Sequence, residues 1–293
     1  MPSLPLDVAR DLAKNFAMSI PFIRNQRLKR MSRTTALDVR DFDAEVEKFA
    51  SLQWDFFQNN VPGGLSGKTI VEIGPGDVVG MGILALLHGA KQYIVYDRFA
   101  GNIRSPDACR LYRLLAERHG FHDAPSVEGF ATAFSDRLIE RREAIETANI
   151  TAPEADVVLS FNVVEHLYDV EKAFAQMAAL LKPGGVMIHR VDYSAHGPWS
   201  RYPNRLTFLT IPSPLWRLMG SQRGESNRRR HSHILEAGRK AGLEMRTIMK
   251  GERTISPQDI AAVRHKLCRD LRSCSDEDLQ LLDAGVIGIK PTT

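Results

Sequence analysis

Two carboxylates and a pair of glycines carry the first chemical signal in this chain. The stretch Val71–Gly82 reads VEIGPGDVVGMG: an apolar run ends at Gly74 and Gly76, and Glu72 precedes the first glycine by two positions. Glycines at a strand end let the main chain approach a ligand closely and turn into the next element. Asp97 closes the following apolar run, QYIVYD, 23 positions after Gly74, where a carboxylate can accept from both hydroxyls of a ribose. A nucleoside ligand is favoured. A dinucleotide would call for G-x-G-x-x-G, with its pyrophosphate on a helix N-terminus. Here the third glycine position is Val79, and Glu72 would face a doubly negative pyrophosphate, an electrostatic mismatch. S-adenosylmethionine, whose sulfonium and α-ammonium are both cationic, suits an anionic side chain beside open main chain. Methyl transfer is therefore the leading reading, and a nicotinamide-dependent oxidoreductase is the alternative.

Such a crevice must be positioned by regular elements, and the changes of period along the chain locate them. Residues 1–66 read as a helical extension, with Val8, Leu12, Phe16 and Ile20 at helical spacing and a second helix from about Phe42 to Phe57. A PGGLSG turn closes it. From residue 67 onward, β-branched runs alternate with helical stretches: TIVEI, QYIVYD, DVVLSF, VMIHRV, EMRTIM and VIGI, separated by helices near 81–89, 106–119, 170–181, 233–241 and 257–282. Alternation of this kind implies parallel strands joined by right-handed crossovers, hence an α/β doubly wound sheet with ligands at the carboxyl ends of its strands.

VEIGPGD with Asp97, then DVVLSFNVVEHL, then LLKPGGVMIH, resembles the class I S-adenosylmethionine-dependent methyltransferases, in particular those with an LKPGG turn before strand 5. The likeness covers about residues 68–191. It implies a seven-stranded, mostly parallel Rossmann-like sheet whose last strand runs antiparallel, spanning residues 67–293. It also implies roles: Glu72, Gly74 and Gly76 at the methionine part and ribose, Asp97 at the ribose diol, Glu143 and Ala144 at the adenine, and Ser160, Phe161 and Asn162 beside the donor methyl. The fold hosts many acceptors, so the resemblance is nearly silent on substrate.

Methyl transfer needs alignment and exclusion of water, and a base only if the acceptor is a hydroxyl or ammonium group. His166, after strand 4, and His189 and His196, around the end of strand 5, are the candidate bases. Asn162, Glu165 and His166, with His189 or Asp192, offer donors of the kind divalent ions accept, but few of them are charged, and no metal is expected. An insertion after strand 5, residues 193–232, is rich in aromatics and arginine. Trp199, Tyr202, Phe208 and Trp216 could stack on a sugar, and Arg223, Arg228, Arg229 and Arg230 could hold phosphate or carboxylate, which suggests a small-molecule or glycan acceptor with anionic character. A nucleic-acid methyltransferase using the 223–230 arginine run is a further alternative. Against it stand a net charge of only +4 and the want of a separate recognition domain, so no nucleic-acid partner is expected.

Hydrophobic residues at 43% and charged residues at 25% describe an ordinary globular chain. No apolar run approaches the roughly 18–20 residues of a membrane span, and no secretory signal opens the chain; a cytoplasmic protein is expected. Cys109, Cys268 and Cys274 are badly spaced for disulfides or zinc. Residues 8–33 combine an apolar face with Arg24, Arg27, Lys29, Arg30 and Arg33, which fits either a packing lid or peripheral contact with the inner face of a membrane.

Overall fold

The computed structural model describes residues 2–23, 40–221 and 224–292. Its centre is a seven-stranded sheet built from β1 (Thr69–Ile73), β2 (Gln92–Tyr96), β3 (Leu138–Arg141), β4 (Ala155–Phe161), β5 (Leu181–Asp192), β6 (Glu244–Lys250) and β7 (Asp283–Ile289). The order is β3-β2-β1-β4-β5-β7-β6, with β7 antiparallel to both neighbours and every other pairing parallel. Strand order reverses between β1 and β4, and the glycine loop lies at that switch point. The class read from the sequence is the one observed, including the reversed last strand.

TIVEI is buried at all five positions because helices cover both faces of its sheet. Residue parity assigns the faces. Ile70 joins the cluster under α2 (Phe42–Glu47), α3 (Trp54–Gln58), α4 (Gly80–Leu87) and α5 (Pro106–Arg118). Val71 and Ile73 join the opposite cluster under α7 (Val170–Leu180) and α9 (His231–Lys240). Helix α2 starts at Asp41, whose side chain accepts from the Ala44 amide, and runs through a wider π turn, Lys48–Gln53, into α3. Phe42, Phe49, Trp54 and Phe57 all point into the first cluster. A short helix α6 (Val127–Phe130) precedes β3.

A third core lies outside the sheet and corrects the reading of the insertion. Trp199, Phe208 and Trp216 are buried there with residues of the helical stretch 255–282, which breaks into α10 (Pro257–Arg264), a 3-10 turn and α11 (Asp276–Gln280). The aromatic rings pack on one another, Trp199 stacking on Tyr202 and tilting against Trp216, so they form no open stacking platform. The arginines are turned inward too. Arg230 is fully buried and donates to the carbonyls of Tyr193 (2.7 Å), Asp278 and Leu281. Arg228 donates to the carbonyls of Phe208 and Ile211 and sits over the Trp216 ring. Arg229 pairs with Glu171, and Arg223 lies outside the described residues. Arg228 and Arg230 are thus spent on the chain's own carbonyls rather than turned out as a basic surface.

Helix α1 (Leu4–Ser19) docks on this third core beside α8 (Ser213–Gly220). Val8 and Leu12 pack partly against it, whereas Phe16 and Ile20, expected on the same inward face, are exposed. The three cysteines are buried free thiols. No helix among the described residues is long and apolar enough to cross a membrane.

Candidate active site

The strand order places the sequence candidates in a row along the carboxyl edge: Glu143 and Ala144 after β3, Asp97 after β2, Gly74 and Gly76 after β1, Asn162 after β4, and Asp192 and His196 at and after the end of β5. Gly74 and Gly76 have φ of 70° and 77°, a region L side chains avoid. The Gly74 amide donates to the Tyr96 carbonyl at 2.9 Å, and a Cβ on Gly74 would lie 2.7 Å from a Val163 methyl, so bare main chain is obligatory where the β1 and β4 loops touch. The Gly76 amide donates to Asp97 Oδ2 at 2.9 Å and the Phe99 amide to Oδ1 at 2.7 Å. These bonds fix the Asp97 carboxylate against the glycine loop, and each oxygen keeps a further lone pair for a ribose hydroxyl.

Glu72 behaves differently from the sequence expectation. Its side chain shares the face of Ile70, is buried, and accepts from the Tyr93 hydroxyl at 2.8 Å. Burial, with Asp97 adding repulsion, pushes its pKa up to about 8 despite the Tyr93 bond. Asp77 is raised by burial and by Asp97 as well. At neutral pH Glu72 is thus largely protonated before any cation arrives, and the anionic fringe is weaker than the residue types imply.

At the other end of the row Glu143 is exposed and Ala144 half-buried, next to the buried Ile145. Glu146 accepts from the Tyr168 amide at 3.0 Å, tying the loop after β3 to the loop after β4. Sequence reasoning missed Arg98. Its guanidinium lies 4.3 Å from the Phe99 ring centre and 4.8 Å from that of Tyr168, bridging the β2 and β4 loops across the row.

Two candidates do not reach the edge. Ser160 and His189 are register partners on β4 and β5, and parity points both inward. His189 is fully buried, edge-on to Phe174, with Nδ1 2.8 Å from Ser160 Oγ and Nε2 unpartnered; burial drives its pKa down to about 3. It is a core residue, not a base, and Ser160 can offer a ligand only its main chain. Asn162, in contrast, takes φ 54° at the strand end, where its amide donates to the Arg190 carbonyl at 2.9 Å. It lines a cavity of about 210 Å³ with Phe161, Asp192, Lys48, Arg190 and Arg253.

His166 and His196 come together from different loops, with ring centres 5.0 Å apart. His196 Nε2 lies 3.2 Å from Asp192 Oδ2. Burial alone would raise Asp192, but hydrogen bonds from His196 and Ser194 overcome it and hold its pKa at about 2. His166 Nδ1 lies 2.7 Å from the Gly224 carbonyl, and burial together with His196 lowers its pKa to about 4. Glu165, which precedes His166 in a 3-10 turn, is buried with both carboxylate oxygens lacking a hydrogen-bond partner, and burial raises its pKa well above the ordinary range. Its own amide and that of Asp192 lie close enough to favour the ionised form without reaching hydrogen-bond geometry. Glu165, His166 and His196 each offer a ligand atom within 4.8 Å of the others, a grouping that could hold a metal ion and in which His196 stands where the sequence reading put His189 or Asp192. Asn227 of the insertion braces this loop, its side chain donating to the carbonyls of Val164 (2.8 Å) and Leu167 (3.1 Å). Beyond it a cavity of about 500 Å³ opens between His166, Tyr168, Trp216, Arg217 and Asp270.

A glycine cradle at the switch point, a carboxylate fixed beside it and ionisable groups beyond mark this edge of the Rossmann-like sheet as the candidate active site. Residues 42–248 match the family model described as a methyltransferase domain, more than half of the chain, and the chain belongs to that family. It is an S-adenosylmethionine-dependent methyltransferase, and the oxidoreductase alternative falls. The fold is also similar to solved structures. A putative S-adenosylmethionine-dependent methyltransferase from Listeria monocytogenes is 19% identical, with TM-score 0.44 over 77% of this chain and 91% of that one. A Mesorhizobium loti S-adenosylmethionine-dependent methyltransferase is 15% identical, with TM-score 0.45 over 85% and 100%. Haemonchus contortus phosphoethanolamine N-methyltransferase 2, in complex with S-adenosyl-L-methionine, is 15% identical, with TM-score 0.46 over 89% and 59%. No curated protein sequence matches. The residues fit the cofactor: positive-φ glycines leave main chain bare beside Asp97, whose carboxylate is fixed by the Gly76 and Phe99 amides.

Proposed function

We propose that the enzyme methylates a hydroxyl oxygen on a small-molecule or glycan-type acceptor bearing negative charge. The observation that carries this reading is the Asp192–His196 pair, whose carboxylate lines the cavity that also contains Asn162, Lys48, Arg253 and the Arg190–Asp283 ion pair. Bound S-adenosylmethionine supplies an electrophilic methyl on a sulfonium. In this assignment Glu72, Gly74, Gly76 and Asp97 hold the methionine and ribose, Glu143 and Ala144 border the adenine, and Asn162 borders the methyl. His196 donates Nε2–H to Asp192, which leaves Nδ1 as the acceptor for the proton that the acceptor hydroxyl loses as its oxygen attacks. Arg253 and Lys48, exposed at the cavity mouth, attract an anionic group. In the same proposal residues 1–66 are an N-terminal extension and 67–293 the catalytic domain, with segment 193–232 bracing the acceptor side through Asn227 and Gly224.

The unpartnered Glu165 carboxylate favours a second mode of activation, in which Glu165, His166 and His196 hold a divalent ion that acidifies the hydroxyl. Production of S-adenosylhomocysteine from a panel of anionic sugars, amino sugars and phenols, with and without chelator, separates the two. For the base mechanism His196→Asn cuts kcat by roughly two to four orders of magnitude and leaves the residual activity indifferent to chelator. Activity lost to chelator and restored by a divalent ion establishes the metal mode. A panel methylated only at nitrogen refutes the oxygen assignment.

A further inference from the structure

Helix α1 is amphipathic in the inverted sense. Its polar residues face the protein: the Tyr202 hydroxyl donates to Asp7 at 2.9 Å, Trp199 Nε1 to Asp11 at 3.1 Å, and Asn15 Nδ2 to the Leu218 carbonyl at 2.9 Å and Ser221 Oγ at 3.0 Å. Asp7, Asp11, Asn15 and Met18, spaced by three or four positions, are the buried side of the helix. The outward stripe is Leu6, Ala9, Ala13, Phe16 and Ile20, followed by Phe22. Phe16 is 73% exposed, Phe22 69% and Leu6 64%; Leu218, beside Asn15, adds a further 63%-exposed side chain.

A helix that spends its hydrogen-bonding side chains on the protein and turns large apolar ones to the outside needs a partner for them. Charge identifies it. The acidic residues of α1 are turned inward, where Asp7 and Asp11 pair with the partly exposed Arg10 (3.5 Å) and Lys14 (3.8 Å), so the outer side of the helix shows cationic heads and no exposed carboxylate. Residues 24–33, which lie outside the described residues, follow directly in sequence with five basic residues and no acidic one. A second copy of the chain would set like charges against each other; an anionic lipid surface meets both the apolar stripe and its cationic flank.

We infer that α1 docks this methyltransferase on an anionic membrane surface, with Phe16 and Phe22 inserted at the level of the lipid headgroups. Docking in this manner requires no spanning helix and is independent of the acceptor and of the activation mode proposed above.

The test is flotation of the full chain with vesicles of phosphatidylcholine mixed with phosphatidylglycerol and with vesicles of phosphatidylcholine alone, repeated with Phe16→Ser plus Phe22→Ser and with Arg10→Gln. Both aromatic positions are exposed, so the double variant keeps its fold, which S-adenosylmethionine binding checks. Binding to the anionic vesicles is expected, weakened roughly tenfold or more by the double variant and reduced by salt. Failure to float with anionic vesicles, or equal binding by the double variant, overturns the inference. So does a dimer in sedimentation velocity that the double variant dissociates, since a second copy would then own the face.

Discussion

Gly74→Ala is the sharpest probe of the cradle, because two separable penalties meet at that atom. At φ 70° a Cβ costs about 1–2 kcal/mol whatever surrounds it. The new methyl would also lie 2.7 and 2.8 Å from the two γ-methyls of Val163, an overpacking of about 1–3 kcal/mol. The sum, roughly 2–5 kcal/mol, should lower the melting temperature by about 4–20 °C at some 2–4 °C per kcal/mol. Val163→Ala removes both γ-methyls and leaves only the Val163 Cβ, 3.4 Å away, so the double variant should recover the steric part and keep the backbone strain. Calorimetric melting of the four proteins yields a favourable coupling of about 1–3 kcal/mol, and titration with S-adenosylmethionine should show the single Gly74→Ala variant binding more weakly than the double. Additive melting shifts would refute the contact between the β1 and β4 loops. A neutral Gly74→Ala would refute the left-handed cradle itself.

Two further outcomes follow from buried ionisable groups. Glu72, raised from 4.5 to about 8, binds a proton that the unfolded chain has lost; its contribution to stability is whole below about pH 4.5 and disappears as pH rises through 8. Glu72→Gln should therefore flatten the fall in urea midpoint over that interval, and the wild type should release up to one proton on binding S-adenosylmethionine near pH 7, seen as a dependence of binding heat on buffer ionisation enthalpy; no release means the cation does not reach Glu72. His189 has the opposite sign. Depressed from 6.5 to about 3, it is neutral in the fold while the unfolded chain takes up a proton, so stability falls as pH drops from 6.5 toward 3. His189→Gln should remove part of that acid slope while leaving kcat within a few-fold, and a collapse of kcat with unchanged binding would return His189 to the list of bases.

The particular residues show how far local pattern reaches. VEIGPGD, the carboxylate of Asp97 and the alternation of strands and helices are short-range signals, legible because a parallel strand buried on both faces must be continuously apolar and must end in a turn that glycine permits. The weakly marked β3 is only four residues long, with one of them buried, so little hydrophobic pattern betrays it. Arg98 escaped notice because its importance is a matter of two rings, one adjacent in sequence and one on a distant loop. The insertion was misread for a related reason: aromatics and arginines have the same composition whether they greet a ligand or close a core. Trp199 and Arg230 are fully buried only because the stretch 255–282 and helix α1 come back to cover them.

Sequence by itself determined the class of sheet and, through its ordered motifs, the cofactor class, since these follow from residue type and spacing within single elements. Tertiary structure alone decided which side chains reach the edge and in what charge state. One residue of parity on β5 puts His189 under Phe174 while Asp192, at the strand end, reaches the cavity and pairs with His196; segments distant in sequence, not neighbours, set the dielectric around Glu72, Glu165 and His166. Burial is a property of the packed chain, and the chemistry of an ionisable group is mostly burial.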